Sequence, residues 1–305
     1  SFWDENNGWF TSDYGQIAHY TPPSTVDITA GNLSSILTTE QLNTTKNLKL
    51  TGTIDARDFK TMRDNMPLLS YLDLSEVTVV EYEGTEGTEG TASFIYPENT
   101  VPQKAFYLSA GKPGLTTAIL PNTLTYIGNN AFNNCSGLAS VVIPDDVTQI
   151  DSLAFYKCTQ LASISLPQNL ETIGMSAFGF CEKLTQINIP ANVSSIGTVA
   201  FTGTKAQIVV DEYNPYYLSE EGLLFNIDKT VLMYCPNTKN GGYNIPSSVN
   251  TIDVDAFYGC SGLIIINIPP SVTTLKDKAF ENCTNLNSII IPPSVNFIGS
   301  GVFYN

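Results

Sequence analysis

The sequence predicts an α+β repeat solenoid, made of strand-rich coils of 23 residues with short helical turns and closed at one end by an irregular N-terminal cap. The first observation behind this prediction is a segment that recurs from Leu138 onward with nearly constant apolar positions. The second is an Ala–Phe pair that returns in each repeat. The third is the proline spacing, which is 23 residues through Pro121, Pro144, Pro167 and Pro190 and again through Pro246, Pro269 and Pro292.

Each repeat begins with a short predicted strand. In the repeat that starts at Leu161, Ile164 and Leu166 alternate with serines, which is the pattern of a strand with one buried face. Pro167 ends the strand because proline has no N–H to donate to a ladder.

The second half of each repeat changes direction. Leu170 and Ile173 form a second apolar pair, and we expect Gly174 to bend the chain after it. Phe178 and Cys181 follow at the spacing of one helical turn, which predicts a short helical turn.

Stacked coils place equivalent side chains in columns along the solenoid. One column is aromatic and is expected to fill the interior, with a small alanine before every ring except the last, which follows Val302. It consists of Phe106, Phe132, Phe155, Phe178, Phe201, Phe257, Phe280 and Phe303.

The motif I-P-x-x-V-x-x-I-G-x-x-A-F-x-x-C, found over roughly residues 100–305, resembles the BspA-like, Treponema-type leucine-rich repeat of bacterial surface proteins. The resemblance implies a strand-rich leucine-rich-repeat fold. It also implies attachment at a cell surface and binding of host proteins or of neighbouring cells.

The charge of the chain argues against two classes of partner. There are 29 Asp and Glu residues against 14 Lys and Arg residues, a net charge of −15. A surface of this sign repels the phosphates of nucleic acid and anionic lipid. No apolar run approaches the roughly 20 residues of a membrane-spanning helix. We therefore expect no nucleic acid, no membrane insertion and, in addition, a monomer.

The two ends of the sequence suggest processing. It starts at Ser1 without a signal segment, so we expect a mature or trimmed chain, and the family resemblance implies a secreted or cell-surface location. It stops at Asn305 inside a repeat, from which we expect either a truncated array or an open end.

Five of the six cysteines occupy one position of the repeat. Side chains at the same position of adjacent coils run parallel about 4.8 Å apart, which is poor geometry for a disulfide. Thr204 takes the position in another repeat. We therefore predict that all six thiols are free and that those at the repeated position pack as small apolar groups, namely Cys135, Cys158, Cys181, Cys260 and Cys283.

Residues 1–30 are predicted to be an aromatic and polar N-terminal leader without a repeat period. We expect the leader to fold over the first coil, because the open end of a solenoid needs a cap. Its aromatic residues are Phe2, Trp3, Trp9, Phe10, Tyr14 and Tyr20.

Residues 31–95 are predicted to be an irregular leucine-rich N-terminal cap. Residues 48–52 and 69–74 have the patterns of strands. Between them, residues 55–66 predict a helix that begins after Asp55, has Asp58 in position for a capping box, and stops at Pro67. The order is similar to that of segments in front of BspA-like arrays.

The cap includes an acidic, glycine-rich loop at 81–92 that we predict to be mobile, because it has little apolar surface to bury. A calcium site is the alternative for this loop, although its spacing does not match an EF-hand. The sequence otherwise predicts no metal and no cofactor.

Residues 96–305 are predicted to be the repeat array, with a hairpin insert at about 205–245 where Pro190 and Pro246 lie 56 residues apart. Residues 223–225 and 231–234 predict the hairpin strands. We expect the insert to replace one coil and to project from one edge. The tyrosines of the insert either pack its base or form an exposed patch, and they are Tyr213, Tyr216, Tyr217 and Tyr234.

The sequence shows no catalytic set. His19 is the only histidine, so Ser–His–Asp sets, Cys–His sets and His-rich metal sites lack their parts. A glycosidase needs two carboxylates that face each other across a cleft, whereas Asp145 with Asp146 and Glu220 with Glu221 are neighbours on turns. We predict that the protein is not an enzyme.

The outward side chains of the first strands form two columns and are the candidate binding face, because repeat proteins bind partners on such extended surfaces. The alternative is that the β-branched members only reflect strand preference. The candidates are Ser140, Val142, Ser163, Ser165, Gln186, Asn188, Ile265, Asn267, Ser288 and Ile290.

Taken with the resemblance, these features favour non-enzymatic cell-surface recognition and adhesion, with a host or neighbouring-cell protein bound on the solenoid face. Two alternatives stay open. One is a glycan-binding surface protein that stacks insert tyrosines, with Tyr213, Tyr216 and Tyr217 as the candidate aromatic patch, on sugars. The other is a structural spacer for another module.

Overall fold

The computed structural model of the chain describes residues 8–11, 17–20, 23–90 and 92–305, and at 8–11 and 17–20 it describes only the backbone. Those two segments are antiparallel strands paired with each other. The leader's side chains, His19 among them, and its expected closure over the first coil lie outside the described residues.

The described chain contains 25 strands and three helices. The helices are all N-terminal: α1 (Leu33–Ile36), α2 (Thr39–Thr44) and α3 (Ala56–Asp64). The strands are β1 (Gly8–Thr11), β2 (Ile17–Tyr20), β3 (Ser24–Ile28), β4 (Asn47–Ile54), β5 (Tyr71–Val79), β6 (Tyr82–Gly84), β7 (Phe94–Tyr96), β8 (Thr100–Val101), β9 (Thr117–Ile119), β10 (Tyr126–Ile127), β11 (Ser140–Val142), β12 (Gln149–Ile150), β13 (Thr172–Ile173), β14 (Gln186–Ile189), β15 (Ser195–Ile196), β16 (Gln207–Val210), β17 (Tyr217–Glu220), β18 (Leu223–Asn226), β19 (Val231–Tyr234), β20 (Asn240–Asn244), β21 (Thr251–Ile252), β22 (Gly262–Asn267), β23 (Thr274–Leu275), β24 (Ser288–Ile290) and β25 (Phe297–Ile298).

The strand–helix–strand order predicted for the N-terminal region is confirmed by β4, α3 and β5. The helix begins after Asp55 because Asp55 and Asp58 form a reciprocal capping box. The Asp58 carboxylate also accepts the N–H groups of Gly31 (2.6 Å) and Leu33 (3.0 Å), which ties α3 to the start of α1.

Three hydrogen-bonded ladders run along the solenoid. The first joins the strands that open each repeat, in the parallel order β3-β4-β5-β9-β11 and then β14-β16 and β20-β22-β24. The second joins the short strands of the second half, β8-β10-β12-β13-β15 and β19-β21-β23-β25. The third joins the turns, where the N–H of Phe132 donates to Ala154 O and that of Phe155 to Ala177 O, both at 2.8 Å.

The turn that ends each repeat differs from the predicted helical turn. Single turns closed by i+3→i hydrogen bonds, such as Cys158 N–H to Phe155 O (3.1 Å), alternate with left-handed residues. Leu153 and Lys157 both have φ of 59°. The left-handed residues aim their N–H at the next coil, and Leu153 N–H donates to Met175 O at 2.8 Å. The chain therefore bonds between coils instead of within a helix.

The aromatic column is buried as predicted. Successive internal rings from Phe106 to Phe201 stack nearly parallel, with centroids 5.1–6.1 Å apart. At the insert the ring of Tyr234 takes the next place, 5.8 Å from Phe201, and its hydroxyl accepts or donates a hydrogen bond at Thr204 Oγ1 (2.8 Å). Phe303 stacks on Phe280 but stays 39% exposed in the last coil.

The buried side chains form two clusters that meet at the insert. The first extends from Ile28 to Ile208 and includes Leu224 and Tyr234 from the insert. The second begins with Leu223 and Phe225 on the alternate positions of the same strand. Strand β18 therefore contributes to both parts of the core.

All six cysteines are free and buried, as predicted. The thiols at the repeated position point at the preceding coil, so that Cys158 Sγ donates to Phe132 O (3.3 Å) and Cys181 Sγ to Phe155 O (3.1 Å). Burial raises the pKa of Cys181 to about 12, which keeps the thiol protonated as a donor. The position therefore requires a small side chain with a donor, which cysteine supplies.

Gly174 serves a different purpose from the predicted bend. Its φ is not in the left-handed region, and a Cβ there would lie 2.3 Å from Ser152 N of the preceding coil. The glycine therefore permits close approach of two backbones.

The insert replaces one coil, as predicted. Strands β18 and β19 form the predicted antiparallel hairpin, and β19 then pairs in parallel with β21 and so enters the second ladder. The sequence missed β17, which pairs antiparallel with β18. The Ile196 N–H, at the end of the first part of that ladder, donates to the Tyr217 hydroxyl (3.0 Å).

The prediction that 81–92 is a loop with little apolar surface to bury is wrong for the described part of that segment. Strands β6 and β7 form an antiparallel hairpin, and the rings of Tyr82 and Tyr96 stack 5.9 Å apart. Thr88 is 3% exposed, and its Oγ1 donates to Gln103 O (2.5 Å). Tyr82 within the segment and Tyr96 just after it supply the apolar area that the acidic residues lack.

Candidate binding face

The outward side chains of the first ladder lie in two rows. In the register of the parallel strands, Thr117 lies beside Ser140 and Ile119 beside Val142. The inward residues between them, Ala118 and Val141, are buried. All ten predicted face residues are exposed, in the alternation that the strand pattern requires.

The rows contain three further residues that the 23-residue spacing does not predict, because the insert breaks that spacing. Gln207 lies beside Gln186, and Val209 beside Asn188, in the pairing of β16 with β14. Asn244 lies beside Asn267, whose Nδ2 donates to Asn244 Oδ1 at 2.5 Å. The β-branched run from Ile208 to Val210 was the available signal for β16.

The strands of this face carry no charged side chain from β9 to β24. In the eight successive segments every position is apolar or a neutral polar residue, although the chain has a net charge of −15. They are 115–120, 138–143, 161–166, 184–189, 206–210, 241–245, 263–268 and 286–291. Large apolar side chains stand in the outward rows, with Val142 52%, Ile265 52% and Ile290 80% exposed. The strand face defined by these segments is thus neutral and partly apolar.

The ladder of the strand face is interrupted at one coil. Residues 161–167, which the sequence predicts as a strand, have no regular secondary structure and belong to no sheet. No backbone hydrogen bond joins 162–166 to β11 or β14 within the described chain. The strand prediction is wrong at this coil, although Ser163 and Ser165 keep their outward places.

A cleft of about 360 Å³ lies beside this interruption. We call it the Asn188 cleft, and its lining consists of Ile164, Ser165, Leu166, Gln168, Asn188, Ile189, Pro190, Val209 and Asp211. Three of these residues, Ser165, Asn188 and Val209, belong to one outward row. The cleft is therefore part of the strand face.

The insert tyrosines divide between the two roles left open by the sequence. Tyr234 is 5% exposed and packs the base of the insert. Tyr217 is half-buried. Tyr213 and Tyr216 are 78% and 49% exposed and are available for contact.

The loop that carries the exposed tyrosines is held by Asn214, which is 3% exposed. Its Nδ2 donates to Pro190 O and Val193 O, both at 2.9 Å, and its Oδ1 accepts the N–H groups of Tyr216 and Tyr217. A single buried amide thus fixes the loop against the neighbouring coil.

Two groups with clearly shifted pKa values lie away from the strand face. Burial and the hydrogen bond to Asp151 raise the pKa of Tyr126. Burial and the Glu281 carboxylate raise the pKa of Asp255 to about 6. Neither group lies beside a nucleophile with a base in the part of the chain that the structure describes.

The acidic pairs of the insert are engaged with lysines. Glu220 pairs with Lys229, and Glu221 Oε2 lies 2.6 Å from Lys239 Nζ. Among the described residues, no group of three or more His, Cys, Asp or Glu side chains is arranged to hold a metal ion. None of the described helices has the length and apolar character needed to cross a bilayer.

Comparison with solved structures gives proteins of the same fold. A leucine-rich repeat protein from Eubacterium ventriosum ATCC 27560 is 21% identical with a TM-score of 0.57, over 97% of this chain and 66% of that chain. The pneumococcal vaccine antigen PcpA is 20% identical with a TM-score of 0.55, over 97% of this chain and 56% of that chain. This chain therefore spans less than two thirds of the length of either.

A third similar structure is a leucine rich cell surface protein from Faecalibacterium prausnitzii A2-165, 20% identical with a TM-score of 0.51, over 99% of this chain and 85% of that chain. No curated protein sequence matches the chain. The family model for the BspA type leucine rich repeat region matches residues 99–218 and 225–305 with six copies. Because that match covers most of the sequence, the chain belongs to the BspA-type leucine-rich repeat family.

Proposed function

We propose that the protein is a non-enzymatic recognition and adhesion protein of a bacterial cell surface, which binds a host or neighbouring-cell protein through its strand face. The observation that supports this most is the absence of charge from the eight successive segments of the strand face in an acidic chain. The centres of protein interfaces are depleted in charged residues in the same way. Exposed Val142, Ile265 and Ile290 supply apolar area for contact.

The family supports the proposal in coarser terms. Solenoids of this kind are typically non-enzymatic and commonly bind proteins, and members of the BspA-type family are usually exposed on bacteria. A secreted or surface-attached monomer fits this proposal. The spacer alternative predicts that the strand face has no partner, so a binding experiment separates the two.

The experiment compares charge insertions at matched exposed positions. The double variant Val142→Lys with Ile265→Lys places two ammonium groups on the strand face, where both side chains are 52% exposed. Met175→Lys is the control, because Met175 is 50% exposed but lies after the second strand of its coil. Binding is measured by biolayer interferometry against a panel of immobilised host-matrix proteins.

We expect one or more matrix proteins to bind the unmodified chain, and we expect the double variant to lose about tenfold or more in affinity, about 1.4 kcal/mol, because the lysines must be desolvated on contact. Met175→Lys should bind as the unmodified chain does. An equal loss in both variants would place the contact elsewhere, and no binding to any protein of the panel would favour the spacer.

A further inference from the structure

We propose that the Asn188 cleft binds a neutral saccharide. This inference goes beyond the protein recognition proposed above, because it assigns a separate ligand class to one defined part of the strand face. It depends on the lining of the cleft, on the interrupted ladder beside it and on the loop that the buried Asn214 fixes at its edge.

The volume and position of the Asn188 cleft suit a small ligand. The Asn188 cleft measures about 360 Å³, within the roughly 300–1,000 Å³ range of small-ligand sites. It opens where residues 162–166 make no ladder hydrogen bonds, so backbone N–H and C=O groups of this segment remain available beside it. A ligand rich in hydroxyl groups can satisfy both kinds of backbone group, since each hydroxyl donates and accepts.

The polar side chains of the cleft lining offer one hydrogen-bond donor and one acceptor. Asn188 Oδ1 accepts a hydrogen bond from Gln186 Nε2 (2.7 Å), which orients the amide and leaves its Nδ2 as a donor. One Asp211 oxygen, Oδ1, accepts the Tyr213 N–H (2.9 Å), which fixes the carboxylate while Oδ2 remains an acceptor. The cleft lining thus contains an oriented amide donor and an oriented carboxylate acceptor, and sugar hydroxyl groups can bond to both kinds of group.

Apolar side chains lie in the cleft lining and on the loop next to it. Val209 is 45% exposed, and Pro190 lies beside it in the lining. Tyr213 follows two residues after Asp211 on the fixed loop and is 78% exposed. A pyranose has an apolar C–H face as well as hydroxyl groups, so it can cover such surfaces while its hydroxyls reach the amide and the carboxylate. Because Asn214 holds the loop, little ordering entropy is lost on binding.

Charge selects among ligands. No Lys or Arg lines the cleft, and Asp211 is followed by Glu212, so sialylated or sulfated sugars are repelled. A single lining carboxylate is too few for a divalent cation. The neutral class is therefore favoured.

The test uses the full chain with neutral di- and trisaccharides, their sialylated and sulfated counterparts, and a control set of uncharged peptides. Saturation-transfer NMR detects binding, and calorimetric titration gives affinities. The variants are Asn188→Ala and Asp211→Asn, both in the lining of the cleft. The matched control is Asn267→Ala, since Asn267 occupies the same outward row in a coil away from the cleft. Circular dichroism checks that each variant is folded.

We expect a neutral saccharide to bind, and we expect Asn188→Ala and Asp211→Asn each to weaken binding by about tenfold, a hydrogen bond's worth of free energy. Asn267→Ala should leave the affinity unchanged. Three results would overturn the proposal: no saccharide binding at millimolar concentration, binding that the cleft variants do not alter, or binding of the peptides in place of sugars. Each result is independent of the charge-insertion experiment, because neither Val142 nor Ile265 lines the cleft.

Discussion

The rings of Phe155 and Phe178 lie parallel in successive coils, with centroids 5.5 Å apart and planes within 4°. The backbone joins the same coils one residue away, because Phe155 N–H donates to Ala177 O and Phe178 N–H to Ala200 O. Each coil is thus held to the next by an aromatic contact and a hydrogen bond at one position. This coupling keeps the strand face in register.

Phe155→Ala tests the aromatic column. The ring is fully buried between Phe132 and Phe178, so its removal leaves a cavity that the fixed coils cannot close. We expect a loss of about 3–5 kcal/mol in the free energy of unfolding, measured by urea denaturation. The exposed terminal ring provides the control, and Phe303→Ala should cost clearly less. A loss below about 1 kcal/mol for Phe155→Ala would contradict its place in the core.

Lys112→Met tests a buried ammonium group that closes helix α3. Lys112 is 4% exposed, and its Nζ donates to the carbonyl oxygens of Met62 (2.9 Å), Arg63 (3.1 Å) and Met66 (3.1 Å). Methionine has similar length but no donor, so these carbonyls lose their partner. We expect a loss of about 2–4 kcal/mol in the free energy of unfolding.

The control for Lys112 is Lys60→Met on the same helix. Lys60 Nζ pairs with Asp64 at 2.9 Å near the surface, and such pairs contribute about 0–1 kcal/mol. Equal effects of the two substitutions would show that Lys112 has no special part in capping α3.

Asp255→Asn tests a carboxyl group whose pKa is raised to about 6 in the folded chain by burial and by the Glu281 carboxylate. An unfolded aspartate titrates near 3.9. Because the folded pKa is the higher one, the group's contribution to stability is present below about pH 4 and is lost as the pH rises through about 6. The substituted amide stays neutral at every pH, so we expect this variant to be more stable than the unmodified chain above pH 6.

The measurement is the thermal midpoint of both chains between pH 4 and pH 8. Asparagine tolerates the left-handed φ of 55° at this position, so the backbone should not be strained by the change. The difference should shrink towards pH 4, where the carboxyl group is protonated in the folded chain. A difference that does not vary with pH would contradict the assigned titration.

Thiol titration tests the interior cysteines. All six are buried and free, and burial raises the pKa of Cys135 to about 12, so the reactive thiolate is scarce in the folded chain. We expect no reaction with an aromatic disulfide reagent under native conditions. In guanidinium without a reducing agent all six should react, and fewer than six would reveal a disulfide.

Much of the fold could be predicted because its determinants repeat. The Ala–Phe pair and the proline spacing locate each coil, and Asp55 with Asp58 locates the start of α3. These signals are local in sequence and do not depend on contacts between distant residues.

What the sequence could not give depends on contacts between coils. Leu153 and Val199 adopt φ of 59° and 55°, which neither side chain favours. The structure keeps Leu153 there because its N–H reaches Met175 O in the next coil, and a helical turn was the natural local prediction. The Asn188 cleft could not be predicted from the sequence for the same reason, since it lies where one coil does not pair with its neighbours.

Site-specific photo-crosslinking tests most directly whether a partner protein binds on the strand face. Benzoylphenylalanine is placed at Val142 or Ile265 on the strand face, and at Met175 or Ser195 on the second ladder side, all of them exposed. Each chain is irradiated with a matrix protein that binds in the panel. If the partner binds on the strand face, we expect crosslinks from Val142 and Ile265 only. Crosslinks from Met175 and Ser195, with none from the strand face, would contradict it.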